Sequence, residues 1–313
     1  MTHLGYRCYA KVNLTLEVIR RRQDGYHDIA SLAHTISLAD DLHLTSAPTL
    51  LSHVEGLEMS VESNLVTRAA RLLAAAAGVS PQAELSLLKR IPAAAGLGGG
   101  SSDAATALVG LNSLWDTRLG IAELARVGAA LGSDVPFFLH GGAAIMTSRG
   151  ERLQPLPPVD GQWLILAVPT HAVSAKTTRL YAALEVADFS SGSATQHAAV
   201  RLEQRMPLEE EHLFNVFTRA ARRVFPGLAD AWSAAEDICQ RRFFLSGAGP
   251  ALFALALDAT DAHRQQTRLA RSGISAFAAR TVRQARAALS LRPLPASDTL
   301  NRDPRALCLV VQW

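Results

Sequence analysis

Lysine is nearly absent from this sequence. Of 31 basic residues only three, Lys11, Lys89 and Lys176, are lysine, and the rest are arginine. Arginine serves wherever a generic surface cation will do. A retained lysine therefore hints at a place that wants a compact ammonium instead of a planar guanidinium. Cysteine is also scarce: Cys8, Cys239 and Cys308 lie far apart, with no Cys-x-x-Cys pair. That argues against a disulfide framework and a zinc site and leaves three ordinary reduced thiols. No apolar run approaches the ~20 residues of a membrane-spanning helix. Met1–Tyr9 has no apolar signal-peptide core, so the expected location is the cytoplasm. Net charge is only +3, and the arginine runs at 20–22, 222–223 and 241–242 are short and not interleaved with aromatics. Nucleic acid is therefore not an expected partner.

What is present is a packed globular chain. Hydrophobic residues make up 49% and charged residues 19% of 313, enough for a large core and, as a prior, two domains. Residues 7–18 alternate: Cys8, Ala10, Val12, Leu14, Leu16 and Val18 share one face, and Tyr9, Lys11, Asn13, Thr15 and Glu17 the other. This predicts a half-buried strand with Lys11 and Asn13 side by side on its polar face. Further strands are predicted at 29–38, 41–46, 83–90, 242–246, 251–257 and 275–281, with a buried one at Trp163–Val168. Helices are predicted at 62–77 (capped by Ser63 or Asn64), through Ala107, Leu108, Leu111, Leu114 and Trp115 after the glycine-rich stretch, and at 121–131. Later ones are expected at 174–185, 195–204, 209–223 and 227–240. The proline-rich stretch 155–161 is the best linker candidate. Strands and helices interleave irregularly, which favours a two-domain α+β protein over a doubly wound sheet.

The strongest chemical signal is strand, glycine-rich loop, helix. The loop reads Pro92-Ala93-Ala94-Ala95-Gly96-Leu97-Gly98-Gly99-Gly100-Ser101-Ser102, followed by Asp103. Glycines let backbone amides approach a phosphate, and the helix N-terminus adds unpaired N–H groups and a positive dipole end. No lysine follows as in a P-loop, and Ser101 stands where a dinucleotide fingerprint needs its third glycine. Asp103, early in the helix, reads as a capping or dipole group; pointed at phosphates it would repel them. It should face away from them or toward a metal ion. Asp134, before Val135-Pro136, taken alone reads as a cap or turn residue. Lys11 alone reads as a surface residue of a strand.

Taken together the segments resemble a known family. Ala10-Lys11-Val12-Asn13-Leu14, the loop 92–102, and Phe244-Leu245-Ser246-Gly247-Ala248-Gly249-Pro250 occur in the order of the three motifs of the GHMP kinase superfamily. Within it, Asp24-Gly25-Tyr26-His27, Glu62-Ser63-Asn64-Leu65, Lys89-Arg90-Ile91-Pro92 and Gly132-Ser133-Asp134-Val135-Pro136 resemble the kinases that act on 4-diphosphocytidyl-2-C-methyl-D-erythritol. The match spans about residues 6–281.

The resemblance implies a two-domain GHMP kinase fold with the active site in the cleft between the domains. It implies domains at 1–157 and 158–281, with 282–313 an extension of no assigned role. The implied reaction is ATP-dependent phosphorylation of the substrate's 2-hydroxyl, in the non-mevalonate route to isoprenoid precursors. By position, Asp134 matches the carboxylate that orients the hydroxyl and takes its proton, and Lys11 the ammonium beside it. Residues 92–102, with Asn64 and Lys89, match the nucleotide site. Asn13, Tyr26, His27, Thr177 and Tyr181 match the cytidine diphosphate end, where Tyr26 or Tyr181 could stack on the base. Mg²⁺ is expected with ATP, but no carboxylate cage for it is visible. Lys176, in a segment with about two extra residues, is either a contact to the diphosphate or a solvated cation. Ala248 stands where a hydroxyl residue is common. The alternatives are a sibling kinase acting on mevalonate, homoserine or a sugar, a decarboxylase of the same superfamily, and a non-catalytic nucleotide-binding protein.

Overall fold

The structure is a computed structural model that describes residues 2–57, 63–169 and 175–283, and every structural statement here concerns those residues. Strands β1 (His3–Asn13) and β2 (Thr15–Arg21) form one run bent at Leu14. A turn at 22–26 leads into β3 (His27–Thr45), 19 residues long. The two strands expected at 29–38 and 41–46 are thus one, because Ala39 and Asp40 continue the extended backbone. Next come β4 (Leu51–Glu55), α1 (Leu65–Ala77), β5 (Glu84–Leu88) and α2 (Gly99–Leu114). Then follow α3 (Ile121–Ala129), α4 (Val135–His140), β6 (Ala143–Ser148) and β7 (Arg152–Leu156). One edge of β3 pairs with β1 and β2, the other with β5 and β6, all antiparallel.

The rest of the chain supplies β8 (Trp163–Val168), α5 (Lys176–Ala182), α6 (Ser193–Glu203) and β9 (Phe214–Asn215). It continues through α7 (Thr218–Val224), α8 (Leu228–Cys239), β10 (Phe244–Leu245) and β11 (Leu252–Leu255). It closes with α9 (Ala259–Arg271) and β12 (Ser275–Arg280). A second, antiparallel sheet runs β10-β11-β8-β12, while β9 joins the first sheet by pairing parallel to β2. The single helix expected at 209–223 is therefore broken: Phe214 and Asn215 are extended against Thr15 and Leu16, and only Thr218–Val224 is α-helical. Helix α9 escapes sequence reading because its apolar contribution is thin; Ala262 and Leu269 are its buried apolar residues.

Two features of β1 depart from simple alternation. Its register against β3 shifts between Tyr9 and Lys11. Such an irregularity re-aims the side chains beyond it. Tyr6 and Cys8 pack with Leu42, Leu44 and Leu108 under the helices, whereas Ala10 and Val12 pack with Leu164 and Leu166 of the second sheet. Cys8 and Ala10 therefore do not share a face, and Lys11 is turned toward the helix side. The polar face is not open to water either, since every residue from Ala10 to Val18 is buried. Helix α6 covers part of it: Thr195 Oγ1 bonds Thr15 Oγ1 at 2.8 Å, and its N–H donates to Glu17 Oε2 at 2.8 Å. Glu17 thereby supplies, from another element, the carboxylate that favours a helix N-terminus.

The core that contains Val12, Leu32 and Ile36 continues through Leu164, Phe244 and Phe253, so the two sheets share apolar packing. An isolated bridge between Ile36 and Thr281 adds a backbone link. Of the three cysteines, Cys8 and Cys239 are free and buried; Cys308, with the tail from 284 onward, lies outside the described residues.

Helix α2 lies hard against the first sheet at Gly110, where a Cβ would come within 2.4 Å of Leu44 Cδ1 and 2.8 Å of Tyr6 Cε2. Gly110→Val is expected to cost about 1–3 kcal/mol of stability through overpacking. Urea unfolding checks this as a lower midpoint at unchanged slope.

Candidate active site

The three motif segments touch one another. Lys11 N–H donates to Leu97 O at 2.9 Å, joining the first strand to the glycine-rich loop. Ala251 N–H donates to Ala95 O at 2.9 Å, and Ser246 Oγ donates to Gly96 O at 3.2 Å, joining the loop to the third segment. A Cβ on Gly96, held at φ +91°, would lie 2.3 Å from Ser246 O, so only glycine allows this backbone approach. Phe138 of α4 fills the space below Gly98, where a Cβ would meet its ring at 2.6 Å.

The loop leads into α2 and lines a cavity of about 340 Å³. Residues 92–96 and 98–101 border it together with Asn64, Lys89 and Asp103; Leu97 and Ser102 do not. Asn64 caps α1, accepting from Val66 N–H at 2.9 Å, and its buried Nδ2 has no partner.

Beneath the loop lies a buried charge group. Lys89 Nζ bonds Asp40 Oδ2 and, at 2.6 Å, Asp103 Oδ2. Asp40 is fully buried, and its Oδ1 accepts from the backbone N–H groups of Arg90 and Ile91. Burial disfavours the Lys89 ammonium, but the Asp103 and Asp40 charges prevail and raise its pKa. Burial pushes the Asp103 carboxyl up to about 7; Lys89 opposes that push and Asp40 adds to it. Asp103 is therefore not a cap: the N-cap is Gly98, and Asp103 faces Lys89 with its Oδ1 unpaired. Asp40 was not singled out from sequence, although an aspartate in step with Leu42 and Leu44 was a readable signal.

On the other side of Ser101 opens a larger cavity of about 1170 Å³. It is bordered by Lys11, Asn13, Tyr26, His27, Asp134, Thr177 and Tyr181, so the expected catalytic and acceptor residues meet in one place. Lys11 Nζ bonds Asn13 Oδ1 and stands 3.5 Å from Asp134 Oδ2, with side-chain exposures of 5% and 33%. Lys11 is thus not a surface residue. Asn13 is fixed in turn, its Nδ2 donating to Ser31 Oγ at 2.7 Å. Asp134 occupies the N-cap position of α4 but makes no capping hydrogen bond, which leaves its carboxylate for other work.

The far end of this cavity is aromatic. His27 stacks on Tyr181 with centroids 4.4 Å apart, and Phe189 and Phe217 meet these rings edge-on. Tyr26 is 55% exposed, with the Arg149 guanidinium 4.9 Å from its ring centre. Burial, then the nearby Arg21 charge, lowers the His27 pKa, which favours a neutral imidazole. Burial and the Asp134 charge push Tyr181 up to about 12, keeping it a phenol. Phe189, Phe217 and Arg149 were not found from sequence, where no local motif sets them apart. Lys176 is neither a solvated cation nor a free phosphate ligand here: its ammonium bonds the carbonyls of Ala94 and Gly249.

Lys89→Met would leave Asp40 and Asp103 buried without a cation. Without the ammonium that opposes it, burial would hold the Asp103 pKa further above its unfolded value, so the folded state would keep a proton that the unfolded state releases. Stability falls as pH rises through that window. The expected loss is about 3–5 kcal/mol at pH 7 and clearly less at pH 5. Urea melts at both values decide; an equal loss at the two would remove the carboxylates from the explanation.

Comparison with known proteins gives consistent results. Residues 64–142 match the family described as GHMP kinases N terminal domain. A 4-diphosphocytidyl-2-C-methyl-D-erythritol kinase of Dehalococcoides mccartyi is 39% identical over 275 residues, 87% of this chain and 96% of that protein. One of the same name from Salinispora tropica is 41% identical over 268 residues, 82% and 85% of the two chains. The crystal structure of a 4-(cytidine 5'-diphospho)-2C-methyl-D-erythritol kinase superposes with a TM-score of 0.76 at 34% identity, covering 88% of this chain and 98% of that one. A homoserine kinase from Cytophaga hutchinsonii shares the fold at TM-score 0.67 and 16% identity. Identity at this level over nearly the full length of the relatives means that this chain belongs to the 4-diphosphocytidyl-2-C-methyl-D-erythritol kinase family of the GHMP kinases.

Proposed function

We propose that this protein transfers the γ-phosphoryl group of ATP to the 2-hydroxyl of 4-diphosphocytidyl-2-C-methyl-D-erythritol, acting in the cytoplasm in the non-mevalonate route to isoprenoid precursors. The observation that carries the mechanism is the Lys11–Asp134 pair, 3.5 Å apart, in a cavity that meets the loop-lined cavity at Ser101. The nucleotide belongs in the smaller cavity, with its phosphates on the loop amides. The acceptor belongs in the larger one, its base among Tyr26, His27 and Tyr181. Stacking there is worth about 1–3 kcal/mol per base. A neutral His27 keeps one donor and one acceptor for a base edge. The cleft then falls between an N-terminal unit, 1–157, and a C-terminal unit, 158–281.

At the junction Asp134 accepts the proton of the 2-hydroxyl. The hydroxyl oxygen attacks the γ-phosphorus, the bond to the β–γ bridging oxygen breaks, and ADP leaves. At 3.5 Å the pair is longer than a direct charge-assisted bond of about 2.7–2.9 Å, so Asp134 retains room for the hydroxyl. Lys11 holds the carboxylate in place and offsets charge on the phosphoryl oxygens in flight. Positioning and charge stabilisation dominate such transfers.

Among the described residues no group of three or more His, Cys, Asp or Glu could hold a metal ion. Mg²⁺ bound to a triphosphate needs only one or two protein carboxylates. Asp103 is the one carboxylate among the described residues that border the nucleotide-side cavity, which is within that demand. When bound, the ion neutralises phosphate charge.

ADP release from purified protein with Mg·ATP, measured against the cytidylylated acceptor, mevalonate, homoserine and galactose, tests the assignment. Turnover with the cytidylylated acceptor alone is expected; turnover with another alcohol would overturn the substrate. Asp134→Asn should lower kcat by roughly 10²–10⁴-fold, the range for a general base, with ATP affinity nearly unchanged. Loss of ATP binding in that variant would make Asp134 structural.

A further inference from the structure

We propose that Lys176 is a positioning residue: its ammonium straps helix α5 to the glycine-rich loop and to the Gly247–Pro250 turn, and so sets the acceptor cavity against the nucleotide cavity. The inference rests on the kinase reading above but concerns a residue outside the reacting pair.

Geometry carries it. Lys176 Nζ donates to Ala94 O in the loop and to Gly249 O in the turn, bonding two of the three site segments. Lys176 borders neither cavity, whereas Thr177 and Tyr181 on the same helix border the acceptor side. It acts through those neighbours. Helix α5 is short and starts badly: Ala175 at its N-cap is left-handed, φ 49°, and offers no side-chain cap. Ala94 is left-handed too, at φ 51°, a conformation disfavoured for alanine. Two strained, non-glycine positions are thus tied together by one side chain. A lysine suits the task, since a compact ammonium can divide its donors between two converging carbonyls. In a chain that otherwise uses arginine, its retention has a geometric reason.

The strap depends on charge. Among the described residues no carboxylate pairs with Lys176; burial, then repulsion from Lys11, lowers its pKa to about 8. The charged groups that face it from other elements are Lys11 on β1 and, beside that ammonium, Asp134 at the start of α4. The loop 92–102 and the Gly247–Pro250 turn carry no ionisable side chain. On its own helix Tyr181 stays neutral, pushed up to about 12. Arg179 on α5 and Arg219, Arg222 and Arg223 on the neighbouring α7 are the other charged side chains of these two helices. As pH rises through about 8 the ammonium loses its proton, and its bonds fall from charge-assisted to ordinary strength.

The test uses the full chain with Lys176→Met and Lys176→Arg, each checked for an unchanged urea midpoint. Wild-type enzyme run alongside separates the two readings: no wild-type turnover sinks the kinase assignment, and the strap is judged against an active wild type. For Lys176→Met we expect KM for the cytidylylated acceptor to rise roughly tenfold or more at pH 7, with kcat within about threefold. Wild-type kcat/KM for the acceptor should decline above pH 8, and that decline should be absent from both variants. An unchanged KM in Lys176→Met, or an alkaline decline that persists in it, overturns the strap.

Discussion

The site depends on a break in the pairing of the first strand. The register of β1 against β3 shifts between Tyr9 and Lys11. Without it, regular alternation would carry Lys11 away from the side on which Cys8 meets the helices. With it, the ammonium arrives where Gly98, Phe138 and Asp134 converge. The shift also places Asn13 where it can bond Lys11 on one side and Ser31 on the other, so the lysine stands at one end of a short chain of hydrogen bonds anchored at Ser31.

Three lysines then divide the work around one loop. Lys89 lies below it in a buried group with Asp40 and Asp103. Lys11 stands at its end beside Asp134. Lys176 reaches over it to Ala94 and Gly249. Each ammonium sits among acceptors converging from different directions, which a planar guanidinium fork serves poorly. The scarcity of lysine elsewhere made these three visible before any geometry was known.

Much of the site was legible in the sequence because its parts are short segments with strong local signatures. The loop announces itself by glycines ahead of a helix. The segments at Lys11, Tyr26-His27 and Asp134 fall into one cavity as the family resemblance implied. What was not legible depends on contacts between distant segments. Burial of Thr15 and Glu17 needs α6, which lies about 180 residues further on. The merging of two expected strands into β3, and the conversion of Phe214-Asn215 from helix to strand, come from partners that no local window contains. Local propensity yields to such tertiary pairing.

Strand β3 is complete by residue 45, yet its edges are filled in instalments. β1 and β2 precede it, β5 reaches it about 40 residues later, and β6 only at residues 143–148. Thr281, which bridges to Ile36, comes last. A chain emerging from the ribosome therefore carries an unsatisfied strand edge until residues 143–148 have been made. Such edges invite mispairing, and long-range pairing is slow. The architecture that brings Lys11 and Asp134 together thus exposes the nascent chain to aggregation until β6 has been made.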